Sequence, residues 1–259
     1  MHVPSLAPLG VAAAIASLGL AAPAAAHDLF LLPSDFTPAL GQTVTLDATV
    51  SAGFPKLETV VAVDRMGARL VRVGGSASQL TATGTGTAAR LSYRPQGRGD
   101  AVLTVAMPPR DVEYPHDRIG LILAEYHLEG PAAGAARALP ASAALQVSST
   151  RFAKTVLCVD ACAETDDLRR PAGLDLEFVA GERPGEYLLL AQGQPAPSHP
   201  VAIVDASGKR QQARTDDRGR LSLTESARGR TMLFAAVMAP PPQAGARFRL
   251  DLTTLTFER

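Results

Sequence analysis

Thr43-Val44-Thr45-Leu46-Asp47-Ala48-Thr49-Val50 alternates polar and apolar side chains along its length, which is the period of a strand with one face buried and one face wet. Outward from this segment the same grammar repeats. Thr59 to Val63 and Ala68 to Val73 flank Asp64-Arg65-Met66-Gly67, a spacing that predicts a hairpin. Ala88 to Arg94 and Ala101 to Met107 continue the series, and it resumes at Phe152–Val159, Leu174–Val179, Tyr187–Ala191, Val201–Val204, Gln211–Thr215, which should pair back across the turn Asp205-Ala206-Ser207-Gly208, then Arg220–Leu223, Met232–Val237 and Phe248–Phe257. Short strands with turn residues every eight to twelve positions predict a mainly β protein built of two antiparallel Ig-like β-sandwiches, not a parallel α/β sheet.

One segment breaks the alternation. From Pro115 to Leu128 the apolar residues follow no strand period, proline opens the segment and Gly130 follows it, which predicts a short helix near 115–129. The stretch GPAAGAARALPASAA that follows is rich in Gly, Ala and Pro and reads as a loop or linker over 130–144. These elements suggest an N-terminal sandwich over 27–148 that carries the helix, and a C-terminal sandwich over 149–259.

Residues 1–26 have no acid, an apolar run from Leu9 to Ala22, and Ala24-Ala25-Ala26 at the end. That is the pattern of a signal peptide cleaved after Ala26, with export to the periplasm. The run is shorter than the roughly 20 apolar residues of a spanning helix, so no transmembrane segment is expected in the mature chain. Lys plus Arg and Asp plus Glu balance at 25 each, and neither sign forms a block, which argues against nucleic acid as a partner. Cys158 and Cys162 are the disulfide candidate expected of an oxidising compartment. A bridge requires a turn at Val159-Asp160-Ala161, because an extended strand separates the two Cα atoms by about 13 Å against a limit of ~7 Å.

Cleavage would make His27 the first residue, offering an imidazole and a free α-amine from one position, a donor pair suited to Cu(II) or Ni(II). A second imidazole is sought in His127 or, as the alternative, His116. The two are eleven positions apart, about 16 Å along one continuous helix, so a single ion takes one or the other. His127 has Glu125 and Glu129 close by, while His116 sits at the helix start, where the dipole disfavours a cation. His199, between Ser198 and Pro200, reads as a loop residue. No Gly-x-Ser-x-Gly, His-Glu-x-x-His or Walker pattern is present, so no catalytic residue is assigned and the chain is read as a non-enzyme.

The segment His27-Asp28-Leu29-Phe30-Leu31-Leu32-Pro33, together with Gly41-Gln42-Thr43-Val44, Glu113-Tyr114-Pro115, Leu123-Ala124-Glu125-Tyr126-His127-Leu128-Glu129-Gly130 and Arg151-Phe152-Ala153-Lys154, resembles a periplasmic family of unknown function associated with nickel uptake, the NikM-like family. The C-terminal part, with Thr215-Asp216-Asp217-Arg218-Gly219, is similar to transthyretin-like and carboxypeptidase-regulatory sandwiches. The resemblance implies a divalent transition metal (Ni, Co or Cu) as the bound ion and a metal-uptake transporter as partner. Two other functions are compatible with the residues: a non-catalytic envelope interaction or structural module, and an N-terminal-histidine copper oxidase.

Overall fold

The alternating segment around Leu46 forms β2 (Val44–Ser51) and buries Val44, Leu46 and Ala48 completely. It belongs to one of three sheets in a computed structural model that describes residues 27–161, 166–223, 229–243 and 245–259. The expected signal peptide, 1–26, and Cys162 lie outside the described residues; Cys158 is the penultimate residue of a strand of the central sheet. Among the described residues no helix is long and apolar enough to cross a membrane.

The first sheet runs β1 (Asp28–Pro33), β2, β7 (Ala89–Tyr93), β6 (Thr81–Gly84), with β3 (Thr59–Val60) added on β2. The central sheet has eight strands. Its C-terminal half contains β14 (Arg210–Arg214), β13 (Pro200–Asp205), β16 (Arg230–Ala239) and β17 (Phe248–Glu258), and its N-terminal half contains β9 (Leu145–Val159), β8 (Gly99–Tyr114), β4 (Arg69–Val73) and β5 (Ser76–Gln79), in that order. A third sheet runs β10 (Leu176–Ala180), β11 (Glu186–Ala191), β12 (Gln194–Pro195), with β15 (Arg220–Ser222) on β11. The protein is therefore mainly β, with sheets packed face to face as in sandwiches.

Strand alternation assigns the layers. In β16, Phe234 and Ala236 pack with the helices, whereas Leu233 and Ala235 pack with Phe178, Leu189 and Leu221 of the third sheet; successive side chains point to opposite faces. The first sheet shares the helix side, where Leu46 and Leu91 meet Leu103, Val105, Ala153 and Leu157. Sheets thus cover the central sheet on opposite faces at its two ends. The halves are joined by β17 and β9, which pair in parallel from Phe248↔Val147 to Thr256↔Thr155. The expected division at 148/149 falls inside β9, a strand that also pairs along its length with β8.

Two local expectations are corrected. The hairpin across Asp64–Gly67 does not form: β3 pairs with β2 in the first sheet, while β4 pairs with β5 and β8 in the central sheet. The intervening residues, with a 3-10 turn at Val63–Arg65, carry the chain from one layer to the other. Gly67 makes the landing possible, since its N–H donates to Ala106 O and a Cβ there would lie 2.7 Å from that oxygen. The expected loop over 130–144 instead begins with a helix. After α1 (His116–Glu125), α2 (Gly130–Arg137) has Pro131 in its first turn and buries Ala132, Ala133 and Ala136. Alanine is the best helix former, and its small side chain permits close approach to β16. A last short helix, α3, spans Asp166–Arg169.

The hairpin expected across residues 205–208 is present as β13 and β14. Asp205 closes its turn by accepting from the N–H groups of Ser207 and Lys209. The Thr215–Gly219 turn is organised in the same way: Asp216 Oδ1 accepts from Arg218 N and Arg220 N, and Gly219 has φ +76°.

Candidate functional site

β14 is an edge strand of the central sheet, and alternation puts Arg210, Gln212 and Arg214 on one side of it. Each holds a different residue from elsewhere in the chain. Arg210 Nη1 lies 2.9 Å from Asp28 Oδ2, the Gln212 amide nitrogen lies 2.6 Å from His127 Nε2, and Arg214 Nη2 contacts both carboxylate oxygens of Glu129 at 2.9 and 3.0 Å. One strand thereby gathers the start of β1 and the turn between α1 and α2.

Arg210 is positioned from below. Its guanidinium stands 4.8 Å from the centre of the Phe234 ring, a cation–π contact, and the Tyr126 ring packs against the same phenylalanine at 6.1 Å. Asp28 is buried at 3% exposure. Burial raises its pKa, against the opposing attraction of Arg210 and Arg151, and Glu125 adds to the rise. Asp28 Oδ1 and Arg210 Nε and Nη2 are buried without a hydrogen-bond partner among the described residues. His27 is exposed, and its carbonyl accepts from Arg151 Nη1 at 2.6 Å.

His127 has a backbone reason to be where it is. Leu128 N donates to Leu123 O and His127 N to Ala124 O, with His127 at φ +52°. This is a Schellman ending of α1, with His127 at the left-handed position and Leu123 packed near Leu128 in one apolar cluster. Burial lowers the His127 pKa, Arg210 lowers it further, and Glu129 opposes, a balance that favours the neutral ring. A Gln212 N–H donating to Nε2 leaves the ring proton on Nδ1. Burial also drives the Tyr126 hydroxyl up to about 12.

The structure separates the two imidazole candidates. His116 starts α1, and its Nε2 lies 3.0 Å from Leu139 O, tying the helix start to the end of α2. His127 ends the helix beside the residue that binds Asp28. His199 is likewise tied to backbone, at 3.0 Å from Ala236 O. Among the described residues no three His, Cys, Asp or Glu side chains gather to hold a metal ion; the α-amine that cleavage would expose on His27 is not a side chain and stands outside that statement. Arg210, Arg151, Gln212 and Tyr126 were not expected from the sequence. The one signal for Arg210 and Gln212 is the alternation of long polar side chains in Arg210-Gln211-Gln212-Ala213-Arg214.

The class these features define is a mainly β protein of packed sheets, with a polar site where its first strand meets the end of its main helix. The chain belongs to the family of a domain of unknown function, DUF4198, whose family model matches residues 24–239. That match starts just before His27 and runs to the last residue of β16. Among curated proteins nothing matches the chain.

Proposed function

We propose that the protein is exported to the periplasm, processed after Ala26, and binds a divalent transition-metal ion (nickel, cobalt or copper) at the new N-terminus, delivering it to an uptake transporter. The amine and imidazole of His27 supply two nitrogens and His127 supplies a third, with the metal displacing the Gln212 amide if it binds at Nε2. The observation that carries this reading is the spacing along β14. Arg210 holds Asp28, the neighbour of His27, and two residues on Gln212 holds His127. The resemblance of the His27–Pro33 segment to the nickel-uptake-associated family supports the same reading.

Calorimetry of Ni(II) with protein beginning at His27 tests it. One ion per chain is expected, with at least a tenfold loss of affinity in His27→Ala and in a chain extended by one residue before His27. His127→Asn should weaken binding by a similar factor, since asparagine tolerates the left-handed backbone. Equal affinity in all four proteins would refute the metal reading. A second reading, an envelope interaction module, draws on β5, which is exposed along its whole length at the edge of the central sheet. A binding partner captured equally with and without metal, and lost on proline substitution in β5, would favour it.

A further inference from the structure

A pocket of about 290 Å³ lies beside the N-terminal site, near the lower end of the roughly 300–1,000 Å³ typical of small-molecule sites. Leu29, Val61 and Met107 give it apolar walls, and Arg65, Arg110 and Arg151 line it with positive charge. No Asp or Glu is among the lining residues, although the chain as a whole carries equal numbers of acids and bases. None of these three arginines forms an ion pair among the described residues; Asp28 pairs with Arg210 instead. The Tyr114 and Ser149 hydroxyls also line the pocket.

The convergence is built into the strands. β8 pairs with β9 through Met107↔Arg151 and then, after a register shift, through Arg110↔Ser149. The shift is a bulge at Pro108-Pro109, and a bulge re-aims the side chains beyond it. Continuous alternation from Met107 would send Arg110 to the opposite face. With the bulge, Arg110, Val112 and Tyr114 join Met107 and Arg151 on the face of the first sheet. Like charges held close together on a sheet are destabilising, and guanidinium groups match carboxylates in a two-point geometry.

We propose that this pocket binds a small polycarboxylate next to the processed N-terminus, as the anionic counter-ligand of the metal ion. The anion site rests on its own lining; only the role of the anion as a counter-ligand rests on the metal reading above. Arg151 links the two, because it lines the pocket and donates to the carbonyl of His27.

The test is titration of citrate into metal-free protein beginning at His27, with sulfate as the comparison anion and circular dichroism to verify folding. Saturable citrate binding is expected, at least tenfold tighter than sulfate. Arg110→Gln and Arg151→Gln should each weaken it at least tenfold, while Arg218→Gln, at an exposed turn on another edge, leaves it unchanged. Arg110 is itself exposed, so its variant keeps the test valid should Arg151→Gln fail to fold. Absence of saturable binding, equal affinity for sulfate, or no effect of Arg110→Gln overturns the proposal. A separate titration with Ni(II) alone keeps the two readings apart: citrate binding without Ni(II) binding sinks only the metal reading, and the reverse result sinks only the anion site.

Discussion

Asp251, at 1% exposure in the middle of β17, is the clearest case of one residue setting a property of the molecule. Arg249 Nε lies 3.0 Å from its Oδ2, while Oδ1 has no hydrogen-bond partner among the described residues. Burial dominates, Asp175 adds to it, and the carboxyl is pushed up to about 6 despite Arg249. A carboxyl whose folded pKa is raised binds its proton more tightly in the folded chain than in the unfolded one, where it titrates near 3.9. Its favourable contribution is therefore complete below about pH 4 and is lost as pH rises to about 6. Asp251→Asn, which removes the titration and keeps the shape, should stabilise the protein at pH 8 by up to about 3 kcal/mol and converge with the wild type near pH 4. Thermal unfolding of the pair across pH 4–8 measures this, and a constant difference across the range would show that Asp251 does not titrate in the folded chain. Asp28, whose pKa is also raised, is common to both proteins and cancels in the comparison.

At the scale of elements, the end of α1 places His127, the proposed metal ligand, on a backbone constraint. A non-glycine residue at φ +52° pays a steric cost of roughly 1–2 kcal/mol, and the Schellman bonds hold it there. His127→Gly should keep or raise the melting temperature, gaining up to about 1 kcal/mol of backbone relief against the lost Gln212 contact. His127→Val should lose more than about 1 kcal/mol, because a β-branched residue fits the left-handed region poorly. Chemical denaturation of the two variants checks the order; a valine variant as stable as the glycine one would mean that the helix end rearranges. The β8 bulge and the α2 helix are also decided at this scale. β8 is readable in the sequence only as far as Met107; its continuation past Pro108-Pro109 to Tyr114 and the register shift between depend on β9. The Ala-rich sequence of α2 reads as a linker until a surface on β16 is available to bury Ala132, Ala133 and Ala136; most of the stability of a short helix comes from such packing.

For the whole molecule, the parallel pairing of β17 with β9 makes the two halves one structure. Ala153, Leu157 and Val159 complete the core beneath the first sheet, and Phe152 of the same strand belongs to the core beneath the third. A fragment of residues 27–148 retains β8 but lacks nearly all of β9, so its longest strand and its main core lose their partner. Such a fragment should show no cooperative thermal transition by circular dichroism, whereas residues 27–259 should unfold in one step. A stable, cooperatively melting fragment would establish an independent N-terminal domain.

Alternation and turn residues were enough to read most strands, the 205–208 hairpin and the helix from Pro115 onward, because those signals lie within a few residues of one another. His27 and His127 stand out in the sequence by their chemistry alone. The sequence favoured His127 over His116 only through the helix dipole, and it hid the contacts around it, because they are distant: Asp28 meets Arg210 across 182 positions and His127 meets Gln212 across 85. What the sequence by itself determined is the strand content and most turns, since each follows from local backbone preference and side-chain chemistry. Only the tertiary structure decided which strands share a sheet, that one sheet runs through both halves, and which charges converge at the N-terminus, since these follow from burying surfaces that the chain brings together only when folded.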